Sequence, residues 1–219
     1  MVVDYVLVIV NPRQLRKRRC HNLDVKNIMI VGVGGQGTLL TSRILGGITI
    51  LAGYDVKLSE VHGMAQRGGS VVTFVRYGTK VYEPIIEEGQ ADVLIAFEKL
   101  EALRYAHYLK KDGVLIVNNQ EINPMPVIIG TMDYPENIIS NLEKDYCVIC
   151  VDAAKKAQKI GTSKVVNTII LGVAAQHMNF TLEEWFQVIE TTVPAHTIDV
   201  NKKAFETGYH LYQKELIKT

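Results

Sequence analysis

Hydrophobic residues recur along this chain with two spacings, and the alternation of those spacings predicts strands that take turns with helices. The β-branched runs at 28–31, 55–60 and 70–77 are too short for helices and predict strands, whereas 38–52 is apolar on the helical period. Further strands are predicted at 91–97, 113–118, 127–129 and 146–151, and further helices at 98–109, 134–144, 152–161, 164–177, from 181, and at 198–217. This order predicts an α/β fold, a doubly wound Rossmann-like sheet with a helical C-terminal tail.

Turn and capping residues add a hairpin and the ends of two helices to this prediction. The run at 70–77 reaches Gly78-Thr79 and continues into 80–82, which predicts one antiparallel hairpin and therefore a mixed sheet. Thr181 with Glu184 three residues later predicts a capped helix start, and Gly161 predicts a helix end.

The first 25 residues differ from the rest and predict a basic N-terminal extension ahead of a single domain at 26–219. An apolar run at 6–10 is followed by a basic run at 13–19, the reverse of the order in a secretory signal. The isolated basic run favours a solvated arm over a nucleic-acid or membrane patch.

Composition narrows the class of protein. The chain has 219 residues, 47% of them hydrophobic, with a formal net charge of +1, so no strong field favours nucleic acid or an acidic membrane. The three cysteines, Cys20, Cys147 and Cys150, leave one over in any disulfide scheme, which favours a cytoplasmic location. The spacer between Cys147 and Cys150 is apolar and strand-like, which predicts buried core thiols and no metal site.

Two glycine-rich loops are the candidate site. The first, with the spacing Gly-x-Gly-x-x-Gly between a predicted strand and helix, contains Gly32, Gly34, Gly35, Gln36 and Gly37. Its glycines suit a tight turn and the approach of an anion to the helix N-terminus. The second follows after one predicted helix and one predicted strand and contains His62, Gln66, Arg67, Gly68 and Gly69. In an open sheet both loops would lie outside the carboxyl ends of strands, and therefore in one crevice.

Several functions remain open at this point. A free-standing NAD-dependent oxidoreductase would need a ribose-binding acid at the end of the second strand. Asp55 lies at the start of that strand, and Glu60 lies farther along the chain from the first glycine loop than such an acid usually does. A non-catalytic module that senses a nucleotide would need only the loop. No nucleophile, base and acid are grouped in a way that indicates independent catalysis.

The sequence resembles the small, gamma-type subunits of the 2-oxoacid:ferredoxin oxidoreductases, and within that family its indolepyruvate branch. The resemblance covers about residues 26–210. It rests on the first glycine loop, on the segment 56–71, and on Phe97-Glu98-x-x-Glu101, Tyr134-Pro135, Asn167-x-x-x-x-Gly172 and Asn201-x-x-Ala204-Phe205-x-x-Gly208.

The resemblance implies a subunit of an enzyme in a hetero-oligomer, expected to be a heterotetramer with no tightly bound cofactor on this chain. The large partner would carry thiamine diphosphate and 4Fe–4S clusters, ferredoxin would accept electrons, and coenzyme A would accept the acyl group. His62, Gln66 and Arg67 would support catalysis, and the glycines with Gln36 would help bind a cofactor. Branches acting on pyruvate, 2-oxoisovalerate or 2-oxoglutarate are the nearest alternative.

Overall fold

A computed structural model describes residues 2–4, 24–62 and 68–216 of the chain. Within these residues, seven strands form one sheet: β1 (Val2–Asp4), β2 (Lys26–Val33), β3 (Asp55–His62), β4 (Ser70–Gly78), β5 (Ala91–Ala96), β6 (Leu109–Asn118) and β7 (Cys147–Val151). The helices are α1 (Thr38–Leu51), α2 (Lys99–Tyr105), α3 (Met125–Ile128), α4 (Ile138–Leu142), α5 (Ala153–Ile160), α6 (Val166–Ala175), α7 (Leu182–Thr192) and α8 (Ile198–Leu216).

The sheet is mixed, with the order β1-β3-β4-β2-β5-β6-β7. Strands β2, β5, β6 and β7 are parallel, whereas β4 is antiparallel to both of its neighbours, β2 and β3. Because β4 reverses direction between them, β2 and β3 point the same way. Their carboxyl ends therefore lie at the same edge of the sheet, and the predicted mixed α/β fold is confirmed.

The antiparallel hairpin lies elsewhere than the sequence predicted. Strand β4 pairs with β3 from His62 opposite Val71 to Asp55 opposite Gly78. Since β2 occupies the other side of β4, no edge of that strand remains for residues 80–82. The Asp55 carboxylate accepts a hydrogen bond from the Val81 N–H (2.9 Å) and holds that segment outside the sheet.

Helices cover both faces of the sheet, because successive residues of each strand face opposite sides. In β2, Ile28 and Ile30 pack toward α1 and α5–α8, whereas Met29 and Val31 pack toward α2 and α4. The predicted tail is part of the first layer, since α6 is buried along its length and lies against the sheet.

Two element predictions are wrong. The segment predicted as a strand at 127–129 forms the end and C-cap of α3, since Ile128 N–H bonds Pro124 O and Ile129 N–H bonds Met125 O. Both sides of β6 are already occupied, by β5 and β7, so the sheet offers this segment no place beside β6. The helix predicted at 134–144 begins only at Ile138, because Asn137 adopts a left-handed backbone conformation.

The prediction of buried core thiols is wrong for Cys147, which is exposed, while Cys150 is half-buried. Both lie on β7, the last strand of the sheet, whose first residue reaches solvent. Cys20 and the basic run at 13–19 lie outside the described residues.

Helices α6 and α8 approach each other backbone to backbone at Gly172 and Gly208. A Cβ on Gly172 would lie 2.1 Å from Phe205 O, and one on Gly208 would lie 1.9 Å from Ile169 O. Beside this contact the Thr168 hydroxyl donates to Asn201 Oδ1 (2.8 Å). Neither backbone can move without separating the helices, so the two glycines set their distance.

Gly208→Ala is therefore expected to lower the free energy of unfolding by about 3 kcal/mol, the upper part of the range for overpacking a core. Urea denaturation followed by circular dichroism measures the change. Lys203→Ala, at an exposed position of the same helix, is the matched control and should change stability by less than about 0.5 kcal/mol. Equal stability of the two variants would contradict the close approach.

Candidate functional site

The first glycine loop joins β2 to α1, as predicted. Gly37 is the N-cap of the 14-residue helix and has φ +87°. A Cβ there would also lie 2.6 Å from Asn167 Nδ2. Gly35 has φ +102° with nothing within 4 Å of its Cβ position, so the loop is open on that side. Thr41 N–H bonds Gly37 O, which leaves the amides of the first helical turn, 38–40, ahead of the helical ladder.

Gln36 reaches back to the ends of three strands. Its Oε1 accepts from Val33 N–H (2.7 Å), and its Nε2 donates to Phe97 O (3.0 Å) and Gln120 Oε1 (3.2 Å). Gly32 makes room for it, since a Cβ on Gly32 would lie 2.9 Å from Gln36 Oε1. Gln36 thus fixes the loop to the sheet, and its predicted role in cofactor binding stays a prediction.

The two glycine loops adjoin, because Gly34 N–H donates to Gly69 O (2.9 Å). The register continues this proximity: Gly32 lies opposite Val71, which in turn lies opposite His62. His62 is half-buried at the end of β3, about 10 Å from Gly32 by the spacing of two strands. Gln66 and Arg67 lie outside the described residues, so their predicted roles rest on the sequence alone.

A buried carboxylate anchors the second loop where it enters β4. Glu101, 3% exposed, accepts from the Ser70 hydroxyl (2.5 Å) and from Arg104 Nη1 (2.9 Å). Tyr105 OH lies 3.4 Å from the same hydroxyl. Burial raises the pKa of Glu101, while the Ser70 hydroxyl and Arg104 oppose the rise. Loop and helix α2 are thereby held together through Ser70.

Glu98 caps α2 and gathers donors from three segments. It is 1% exposed; its Oε2 accepts from Glu101 N–H (2.9 Å), and its Oε1 accepts from Ile122 N–H (3.1 Å) and from Tyr134 OH. Burial raises the pKa of Tyr134, and the hydrogen bond to Glu98 raises it further. The carboxylate therefore joins the end of β5 to the segment that leaves β6.

Asn118 completes the row of polar side chains along this edge. Fully buried at the end of β6, it donates to Phe97 O (3.2 Å) and Gln120 Oε1 (3.0 Å) and accepts from Ala153 N–H (3.3 Å). Sequence reasoning did not single out Glu98, Asn118 or Gln120 as site residues. Their position in the sequence could have indicated them, because they lie at or just after the ends of buried strands, where ligand-binding crevices form.

The two acids considered for a ribose are engaged within the protein. Asp55 binds Lys57 Nζ (2.8 Å). Burial raises the pKa of Asp55, but the contact with Lys57 and the hydrogen bond from Val81 N–H outweigh burial and hold this pKa below its usual value. Glu60 accepts from Thr73 (3.2 Å). Antiparallel β4 also separates β3 from β2, whereas a dinucleotide fold places the acid on the strand beside the first one. The arrangement does not favour NAD.

The backbone at the start of α1 is available at this edge. Amides at the start of α1 carry the positive end of the helix dipole, and the open sides of Gly35 and Gly68 allow close approach. Such a surface suits an anionic group or the main chain of a partner. Within the ranges given above, no three His, Cys, Asp or Glu side chains form a cluster that could hold a metal ion. No helix in those ranges combines the length and apolarity needed to cross a membrane.

Comparison with known proteins gives one consistent result. The family model described as pyruvate ferredoxin/flavodoxin oxidoreductase matches residues 27–211. Indolepyruvate oxidoreductase subunit IorB of Thermococcus kodakarensis is 43% identical, with 83% of this chain and 93% of that protein covered. IorB of Archaeoglobus fulgidus is 44% identical, with 84% and 94% covered. The crystal structure of pyruvate oxidoreductase subunit PORC from Thermotoga maritima has a TM-score of 0.63 at 25% identity, covering 85% of this chain and 96% of that one.

Proposed function

Because the chain belongs to the pyruvate ferredoxin/flavodoxin oxidoreductase family, we propose that it is the small subunit of an indolepyruvate:ferredoxin oxidoreductase. The observation that carries this assignment is the identity of 43–44% to IorB proteins over more than four-fifths of the chain. The complete enzyme would convert an aryl pyruvate and coenzyme A to acyl-CoA and carbon dioxide, and two electrons would pass to ferredoxin.

Work would be divided between two chains. A larger partner would hold thiamine diphosphate, which supplies the decarboxylation chemistry, and the 4Fe–4S clusters. This chain, with residues 26–219 as its family domain and 1–25 as an extension, would hold no cofactor of its own. The proposed assembly is a heterotetramer in the cytoplasm, with ferredoxin as a transient partner and neither nucleic acid nor membrane bound.

The glycine loops would face that partner's active site. The amides at the start of α1 and the open sides of Gly35 and Gly68 suit a phosphate of coenzyme A, and His62 lies at the same edge. Gln66 and Arg67 follow His62 closely in sequence, and an arginine suits a phosphate or carboxylate. Glu98, Glu101 and Gln36 would hold the loops in place, since their polar atoms already bind protein groups.

A second candidate is the small subunit of a pyruvate oxidoreductase, which the fold shared with PORC favours. Substrate selection separates the two. The purified complex should reduce ferredoxin with a kcat/KM at least about tenfold higher for indolepyruvate than for pyruvate or 2-oxoglutarate, a ratio within reach of one apolar pocket. A preference for pyruvate would favour the second candidate. A chain that purifies without a thiamine-containing partner would contradict both.

A further inference from the structure

A group of large apolar side chains is exposed beside the candidate site. Met125, Ile128, Ile129 and Met132 are 63–66% exposed, and they lie within eight consecutive residues. The other large hydrophobic side chains exposed in the described ranges, Leu39, Tyr82, Ile85 and Leu103, are dispersed along the chain. We call residues 124–132 the apolar knob. Clustered exposure of this kind marks an interaction surface, whereas single exposed residues do not.

Hydrogen bonds within the apolar knob hold its backbone in one conformation. Pro126 O accepts three hydrogen bonds, from Thr131 N–H (2.9 Å), Thr131 Oγ1 (3.0 Å) and Met132 N–H (3.2 Å). Gly130 N–H bonds Val127 O (3.1 Å) and closes the turn. The backbone thus satisfies itself and directs the four side chains outward. A surface that is already ordered loses little entropy when it binds.

The apolar knob is also attached to the edge that carries the glycine loops. Just before it, Ile122 N–H binds Glu98, and Gln120 binds the Gln36 side chain of the first loop. A partner that covers the glycine loops, as the proposed function requires, therefore lies beside the apolar knob. These hydrogen bonds attach the segment that leads into the apolar knob to the edge of the sheet that carries the glycine loops.

The charges around the apolar knob indicate which partner it suits. Exposed Glu121, Asp133 and Glu136 flank it. A recess of about 640 Å³ beside it is lined by three carboxylates, those of Glu121, Glu136 and Glu143, against the single amine of Lys99. In a symmetric dimer formed through this surface, the two acidic rims would face each other and repel. An anionic membrane would be repelled in the same way.

We propose that the apolar knob is the anchor by which this chain docks on its larger partner subunit, at an apolar recess rimmed by lysine or arginine. This inference rests on the proposed function, since that function supplies the partner. The four exposed side chains provide the buried centre of the interface, and the acidic rim sets its orientation.

The test measures the affinity of full-length chain for the purified large subunit by biolayer interferometry. The double variant Ile128→Ser with Ile129→Ser should raise Kd at least tenfold, as expected for central anchor residues. The matched control, Tyr82→Ser with Ile85→Ser, removes exposed apolar side chains elsewhere and should stay within twofold of the wild type. Glu136→Lys should slow association several-fold at low salt, because it reverses one charge of the rim.

The outcomes separate the alternatives. Wild-type affinity in the double variant would overturn the proposal while leaving the proposed function intact. If the double variant instead changed the isolated chain from dimer to monomer in sedimentation, with partner affinity unchanged, the apolar knob would be a contact between copies of this chain. A wild-type chain that does not bind the large subunit would overturn the proposed function together with this inference.

Discussion

Glu98→Ala is expected to lower the free energy of unfolding by about 4 kcal/mol, because it removes the acceptor of three donors at once. The lost partners are Glu101 N–H, Ile122 N–H and Tyr134 OH, around a side chain that is 1% exposed. Each buried donor left without a partner costs about 1–3 kcal/mol, and the removed atoms also leave a cavity. Chemical denaturation of the chain, compared with the wild type, measures the loss.

Two further variants identify the cause. Glu98→Gln keeps one carbonyl acceptor but places an amide N–H near donors, so we expect an intermediate loss of about 2 kcal/mol. Glu121→Ala removes an exposed carboxylate that pairs with Lys99, and surface pairs of this kind contribute less than about 1 kcal/mol. If Glu98→Ala were no more destabilising than Glu121→Ala, Glu98 would not be the junction that the hydrogen bonds indicate.

Features set by neighbouring residues could be predicted from the sequence. The apolar period of 38–52 and the glycines before it predict the turn from β2 into α1, and both are local. Thr181 and Glu184 form the predicted capping box, since its two hydrogen bonds join residues three apart. Gly161 ends α5 in the predicted way, with a left-handed backbone. In each case the cause lies within one helical turn.

Strand order could not be predicted in this way. The apolar residues of 70–77 are compatible with pairing to 80–82 or to β3, and only burial of β4 between β2 and β3 decides. Four apolar residues around Val127 show neither period, so a short helix and a strand look alike there. The sequence does not predict the exposure of the apolar knob either, because apolar residues near a predicted strand are expected to be buried.

The contacts among polar side chains at the carboxyl ends of the strands depend on that strand order as well. Gln36, Glu98 and Asn118 meet only because β2, β5 and β6 are adjacent, and their hydrogen bonds join residues as much as 84 positions apart in the chain. The sequence therefore indicated the two glycine loops, whose signal is local, and missed the buried side chains that hold them. The described residues support the candidate site, whereas the proposed role of Arg67 rests on the sequence alone.

Arg67→Ala, in the intact complex, is expected to raise the KM for coenzyme A by about 10- to 100-fold. This corresponds to the 1.5–3 kcal/mol that a charge-assisted hydrogen bond to an anionic group contributes. The reason is position: Arg67 directly precedes Gly68 and Gly69, and Gly69 O binds the first glycine loop beside the positive end of α1. Steady-state kinetics at varied coenzyme A and saturating 2-oxoacid measures the change.

Arg67→Lys distinguishes a contact with the ligand from a merely structural role. Lysine keeps the charge but loses the planar fork of donors, so the KM for coenzyme A should fall between the wild type and Arg67→Ala. The KM for the 2-oxoacid should stay within about twofold in both variants. A structural role for Arg67 would instead weaken the use of both substrates or the assembly itself. If the KM for coenzyme A and kcat were unchanged in an intact Arg67→Ala complex, the second glycine loop would have another role, and the support for coenzyme A would rest on the amides at the start of α1 alone.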